Sequence, residues 1–288
     1  MIDGNDSVIS AASHEVSLAD RPVAYSVISE LLRIHGSAEP RSAVRRIFGA
    51  RPVHADAQSW FSGAHGELEV GEILARLGPE WLVLHAIPVG TGNSDIDHVL
   101  VGPAGVYTIN TKRHRGKRIW VSEGRLLVAG QKTDHLRNSR HEASRAAKLL
   151  TAATGLPVEV HPLLTIVDSG PITFKQRPRD VSIMDARALP RWLKRLKPVL
   201  SHDAVERIAA AAVRSHTWHP HADLTVDPTY LDRFRALDQQ VVQALRLRIL
   251  WAMTFTIGVG VLVIVYLIPA VLAVIPAILS TLLELPTS

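Results

Sequence analysis

Five side chains close together in the sequence have types and spacing that could act on a phosphate. Glu67 comes first. Asp95 and Asp97 precede an apolar, β-branched run, and Asn110 and Lys112 stand two residues apart at the end of the next such run. On a strand, period two puts Asn110 and Lys112 on one face and Thr111 on the other. If the Gly102 to Gly105 turn folds the two runs into a hairpin, Asp97 comes beside them. A carboxylate, a second oxygen ligand and a lysine on one face can hold Mg²⁺ and a water against a phosphate. Hard oxygens suit the ion, the ion stabilises developing charge, and lysine positions or activates the water. The same spacing also fits a plainer arrangement, in which Asp95 and Asp97 cap a strand and Lys112 ends one in solvent.

The elements that must position these residues follow from periodicity. Leu68, Val70, Ile73, Leu74 and Leu77 recur at helical spacing and Gly78-Pro79 stops the run. Strands are expected over 81–89, 96–101 and 106–111, with Gly90-Thr91-Gly92-Asn93 turning between the first two. A hairpin is expected from 119–121 and 126–128, a helix over 138–153, and further strands over 163–167 and 181–184. Two more helices are expected over 189–196 and 204–213. Helix, three strands, hairpin, helix and strand make a mixed α/β sandwich. Upstream, residues 1–20 are polar, Val23 to Ile34 has helical spacing, a second short helix fits 42–48, and 54–61 reads as a connector. Downstream, 216–227 is rich in Pro and His and reads as a linker, followed by a charged amphipathic helix over 231–247. His216, His219 and His221 lack a partner ligand at metal-site spacing.

Composition narrows the functional classes. The chain has 288 residues, 32 Lys and Arg, 27 Asp and Glu and no cysteine. Disulfides, zinc ribbons, iron–sulfur ligation and thiol catalysis are excluded. The first residues contain acids and no apolar core, so no secretory leader is expected. No phosphate-binding glycine loop is present. From Ile249 onward there is no Lys or Arg and a single acid, Glu284. Residues 249–268 are charge-free and long enough to cross the roughly 30 Å hydrocarbon core. Arg233, Arg235, Arg246 and Arg248 lie just before them, which puts the polar portion on the cytoplasmic side. Residues 270–283 could be a second membrane segment, a re-entrant piece or an interfacial one. Between Lys112 and Lys148 stand eleven Lys and Arg against three acids. This stretch could grip a nucleic-acid backbone, lie along anionic lipid, or form a solvated face.

Four motifs, in order, carry a family resemblance: Gly63-Ala64-His65-Gly66-Glu67, Asp95-Ile96-Asp97-His98, Gly102-Pro103-Ala104-Gly105-Val106 and Ile109-Asn110-Thr111-Lys112. Together they resemble the NERD (nuclease-related) domain of the PD-(D/E)XK nuclease superfamily, over about residues 63–170. The resemblance implies an α/β, restriction-endonuclease-like mixed sheet flanked by helices, here followed by a C-terminal transmembrane helix. It implies Glu67, Asp97, Asn110 and Lys112 as the catalytic set, with Asp97, Glu67 and the Asn110 carbonyl on Mg²⁺. DNA or RNA is the implied partner, held by Arg113, Arg115, Lys117, Arg118, Arg137 and Arg140. The implied organisation is a helical extension over 1–62, a nuclease-like domain over 63–215, a linker and juxtamembrane helix over 216–248, and a membrane anchor over 249–288. One departure matters: the acid that usually stands two residues before the lysine is Asn110, which brings no charge. The expected function is therefore either a Mg²⁺-dependent phosphodiesterase or a catalytically degenerate module that binds nucleic acid or protein at the inner membrane face.

Overall fold

The computed structural model of the protein describes residues 17–89, 95–219 and 224–283. In chain order the elements are α1 (Tyr25–Ser37), α2 (Ala43–Ile47), α3 (Gln58–Leu74), β1 (Leu82–Pro88), β2 (Asp95–Gly102), β3 (Gly105–Arg113), β4 (Ile119–Ser122), β5 (Arg125–Val128) and β6 (Gln131–Thr133). Then come α4 (His135–Thr154), β7 (Val160–Val167), β8 (Ile172–Phe174), β9 (Ser182–Asp185), α5 (Leu189–Leu193), α6 (His202–Ala212), α7 (Ser215–Trp218), α8 (Tyr230–Leu262) and α9 (Ile268–Leu283). The chain divides into two compact units, residues 1–34 with 56–231, and residues 35–55 with 232–288.

The first unit is the mixed α/β structure that the sequence predicts. Its main sheet has the order β1-β2-β3-β7-β9. β1, β2 and β3 form an antiparallel meander, and β7 and β9 add in parallel. A smaller sheet, β6-β5-β4-β8, carries the expected hairpin as β4 and β5. Strand alternation divides the main sheet into two apolar faces. Val99, Val101 and Val106 pack with Ala146 and Leu150 of α4 and Ile208 and Ala212 of α6. Leu100, Tyr107, Ile109 and Leu163 pack on the other side with Val70 and Leu74 of α3 and Leu189 and Leu193 of α5.

Several boundaries differ from those expected. α3 starts at Gln58, so most of the 54–61 connector is helix. Its first turn lacks the apolar periodicity by which such a start is recognised. β6 and β8, each three residues, were not expected; both are held by pairing to a neighbouring strand. The start of the 216–227 linker is structured: Trp218 is buried and donates its indole N–H to the Ala212 carbonyl at 2.8 Å. The domain limits expected at residues 62, 215 and 248 do not coincide with the two compact units. In particular, residues 17–34 belong to the α/β unit. The polar arm before Ser17, the 90–93 turn and His221 lie outside the described residues.

In the second unit, α8 passes through a π-helical turn at Val263–Leu267 into α9. Residues 230–276 of this helix are long and apolar enough to cross a membrane, with a mean hydropathy of 2.8 over the most apolar stretch and none of that stretch buried. Residues 270–283, left open by the sequence, continue the same helix with Pro276 inside it.

Candidate active site

The site residues come together because three elements meet at one end of the main sheet. In β2 and β3, His98 pairs with Ile109. One further step in that register puts Asp97 opposite Asn110. The Asp97 carboxylate accepts the backbone N–H of Thr111 at 2.6 Å, which locks the two strand ends together. Thr111 itself faces α3, as period two requires. Gly66 permits this close approach of α3 to β3: a Cβ there would lie 3.2 Å from Arg113 Cβ and 3.3 Å from Thr111 Cγ2. The next residue, Glu67, is thereby delivered to the carboxylates. His98 alternates to the opposite face from Asp97, where it is fully buried and shares a proton with His85, Nδ1 to Nδ1 at 2.8 Å. It does not orient Asp97.

Glu67, Asp95, Asp97, Asn110 and Lys112 all line one cleft of about 570 Å³. Two further contributors were not expected from sequence. The first is Glu142, whose carboxylate accepts a hydrogen bond from Asn110 Nδ2 at 2.5 Å. It is the sole acid on α4, beside the buried Ser139, Ala143 and Ala146, on a helix otherwise read for its basic residues. That position at the margin of the apolar stripe was the available signal. The second is α1, whose Ser26 hydrogen-bonds Asp95 and whose Val27 lines the cleft.

The electrostatics are those of carboxylates crowded out of water. Burial, then the neighbouring Asp97 and Asp95, push the Glu67 carboxyl well above its usual range. Burial and Asp97 raise Glu142 to about 8, and the same two causes raise Asp95 to about 6. Burial also raises Asp97, opposed by Lys112 and by the Thr111 N–H. Lys112 is the opposing charge for Glu67, Asp97 and Glu142, and its ammonium donates to the Thr111 carbonyl at 2.9 Å. Beside it, His114 and His135 stack with Nε2 atoms 3.0 Å apart. Burial lowers both imidazoles, His135 to about 4, which favours the neutral rings.

Hard oxygen donors dominate this set, and three of them, Glu67 Oε2, Asn110 Oδ1 and Glu142 Oε2, are buried without a hydrogen-bond partner. Such atoms suit a divalent cation. Among the described residues no three His, Asp or Glu side chains already close around a single point. Coordination would therefore require side-chain adjustment, such as opening of the Asn110–Glu142 bond. The same statement covers His216 and His219.

Residues 62–167 match the family model of the nuclease-related domain. The match covers α3, the β1–β2–β3 meander, the small hairpin, α4 and β7, which are the elements that build the cleft. Over these residues the chain is similar to nuclease-related domains. Such domains belong to the PD-(D/E)XK nuclease-like group, whose members usually depend on a divalent metal. No curated protein and no solved structure matches the chain.

The six basic residues expected to hold nucleic acid separate into two sets. Arg113 pairs with Asp168 at 2.6 Å, Arg140 with Asp180 at 2.6 Å, and Arg137 with Asp134 at 3.1 Å. Arg115, Lys117 and Arg118 are exposed on the turn between β3 and β4, and no ion pair engages them among the described residues.

Proposed function

We propose that this protein is a membrane-anchored, Mg²⁺-dependent phosphodiesterase of DNA or RNA, in which Glu142 supplies the negative charge that Asn110 lacks. The observation that carries the reading is the Asn110–Glu142 hydrogen bond beside Asp97 and Lys112. It puts an acid from α4 next to the position where the superfamily usually has one on the strand. Glu67, Asp97, Asn110 and Glu142 would hold the ion. The ion, when bound, supplies charge stabilisation and an acidified water. Asp97 keeps β2 and β3 in register through the Thr111 N–H, so the donors on the two strands stay aligned. The Lys112 ammonium, one residue beyond, presents a positive charge and a proton to the phosphate or the attacking water. Arg115, Lys117 and Arg118 extend from the same strand end and would grip the backbone. Arg137 and Arg140, already paired with acids, contribute less than the sequence suggests, and Arg113 positions the strand end through Asp168.

The apolar helix would fix the domain to the bilayer. The arginines at 233, 235, 246 and 248 favour a cytoplasmic face for it. The second reading, a degenerate module that binds nucleic acid or protein without cleaving it, draws on Asn110 itself. Calorimetry with Mg²⁺ and Mn²⁺ on the full chain in detergent micelles separates the two, followed by a cleavage assay on labelled single- and double-stranded DNA and RNA. Metal binding lost in Asp97→Ala, with cleavage lost in Asp97→Ala and Lys112→Ala, is expected. A wild-type chain that binds no metal and cleaves nothing would leave the degenerate module.

A further inference from the structure

The second compact unit carries a feature that the nuclease chemistry does not use. α2 is a single short turn of helix, yet it and its C-cap residue Phe48 display large apolar side chains: Val44 is 63% exposed, Ile47 56% and Phe48 55%. A soluble surface rarely clusters three such residues on one turn without a partner.

α2 is fastened beside the start of the membrane-length helix. Gly49, which follows it, has φ +68°, and a Cβ there would fall 2.4 Å from the Ala244 carbonyl oxygen. Only glycine satisfies both that conformation and that approach. Arg41 donates to the Ala50 carbonyl at 2.8 Å and to Gln240 at 3.1 Å. Trp251 donates its indole N–H to the Ile47 carbonyl at 2.9 Å, and its ring lies 5.0 Å from that of Phe48. Trp251 is the third residue of the charge-free run that begins at Ile249. α2 is therefore held level with the point where the helix changes from charged to apolar.

Charge points the same way. Residues 41–51 contain Arg41, Arg45, Arg46 and Arg51 and no acid; residues 239–251 contain Arg246 and Arg248 and no acid. Trp and Phe at the headgroup level, arginines around them and an apolar face below are the composition of a segment lying in a membrane interface.

We infer that α2 is an interfacial foot: Val44, Ile47 and Phe48 bed into the headgroup–acyl boundary of an anionic bilayer beside Trp251. The foot would fix the depth and rotation of the helix where it enters the membrane. The occupant is lipid because the apolar patch is continuous with the membrane-length helix and ringed by cations. The inference rests on the membrane anchor proposed above, and its test separates the two.

The chain has no cysteine, so single nitroxide labels can be introduced without background. Val44→Cys and Ile47→Cys report on the foot, Val259→Cys on the helix, and Lys132→Cys on an exposed strand of the α/β unit. The full chain is reconstituted in phosphatidylcholine–phosphatidylglycerol vesicles. Collision with oxygen, which concentrates in lipid, is compared with collision with a water-soluble nickel chelate. The expected oxygen-to-nickel ratio at positions 44 and 47 is several-fold above that at 132 and below that at 259. A ratio at 44 and 47 equal to that at 132, with 259 immersed, would overturn the foot and leave the anchor standing. Labels at 44 and 47 shielded from both reagents would mean a protein surface covers α2, which also overturns it. An aqueous ratio at 259 would overturn the anchor and the foot together.

Discussion

Replacing Glu142 by glutamine should make the protein more stable at pH 8 and a poorer metal binder. The substitution keeps the shape and keeps an acceptor oxygen for Asn110 Nδ2, so the 2.5 Å hydrogen bond survives in neutral form. It removes a carboxyl that burial and Asp97 have raised from 4.5 to about 8. At about 1.4 kcal/mol per unit, holding that group half ionised at pH 8 costs up to about 4 kcal/mol relative to the unfolded chain. The glutamine amide must itself stay out of water, which offsets part of this, so the expected gain is roughly 1–3 kcal/mol. For a domain of this size it corresponds to roughly 2–4 °C per kcal/mol. Metal affinity should fall roughly 10–100-fold, the range seen when a supporting group is removed from a metal site. The assays are thermal unfolding of the metal-free chain at pH 8 and calorimetric titration with Mn²⁺. The double variant Asn110→Asp with Glu142→Gln exchanges acid and amide across the same hydrogen bond and should recover most of the affinity. Lower stability in Glu142→Gln at pH 8, or unchanged Mn²⁺ affinity, would refute the assignment of Glu142 as the substitute acid.

Between about pH 6.5 and 8 the metal-free protein should lose stability as pH rises. Folded Glu142 holds a proton there that the unfolded chain has released, and the raised Glu67 acts in the same direction. Below that window His85 and His135, lowered to about 4, oppose the trend, and saturating divalent metal should flatten the slope in a pH series of melting curves. Lys112→Ala should retain Mn²⁺ binding within a few-fold while abolishing any cleavage, because the ammonium is not a ligand; loss of both would place it in the ligand shell instead. Gly71→Ala should destabilise by roughly 1–3 kcal/mol in chemical denaturation, since its Cβ would lie 2.4 Å from Val23 Cγ2 and force the segment leading into α1 away from α3. In nucleic-acid binding, Arg115→Ala and Lys117→Ala should each reduce the salt slope by about one. Arg140→Ala, whose charge Asp180 already engages, should change it little.

The sequence by itself determined the strands that carry the site. Apolar, β-branched runs marked β2 and β3, the Gly102 to Gly105 turn joined them, and period two placed Asn110 and Lys112 together with Thr111 opposite. It also determined the membrane-length helix, because hydrophobicity and the absence of charge are properties of composition. Motif order sufficed to indicate a nuclease-related domain. Tertiary structure alone decided how the missing acid is replaced. Glu142 lies 32 residues beyond Asn110 on a helix that reads as basic, and only the packing of α4 on the sheet turns it into the cleft. The same holds for Arg140, taken from the cationic surface by an aspartate 40 residues away, and for Ser26 of α1 beside Asp95. Periodicity reports which face of an element is apolar; it carries no information about which distant element will cover that face, and the charges of this site are set by that covering.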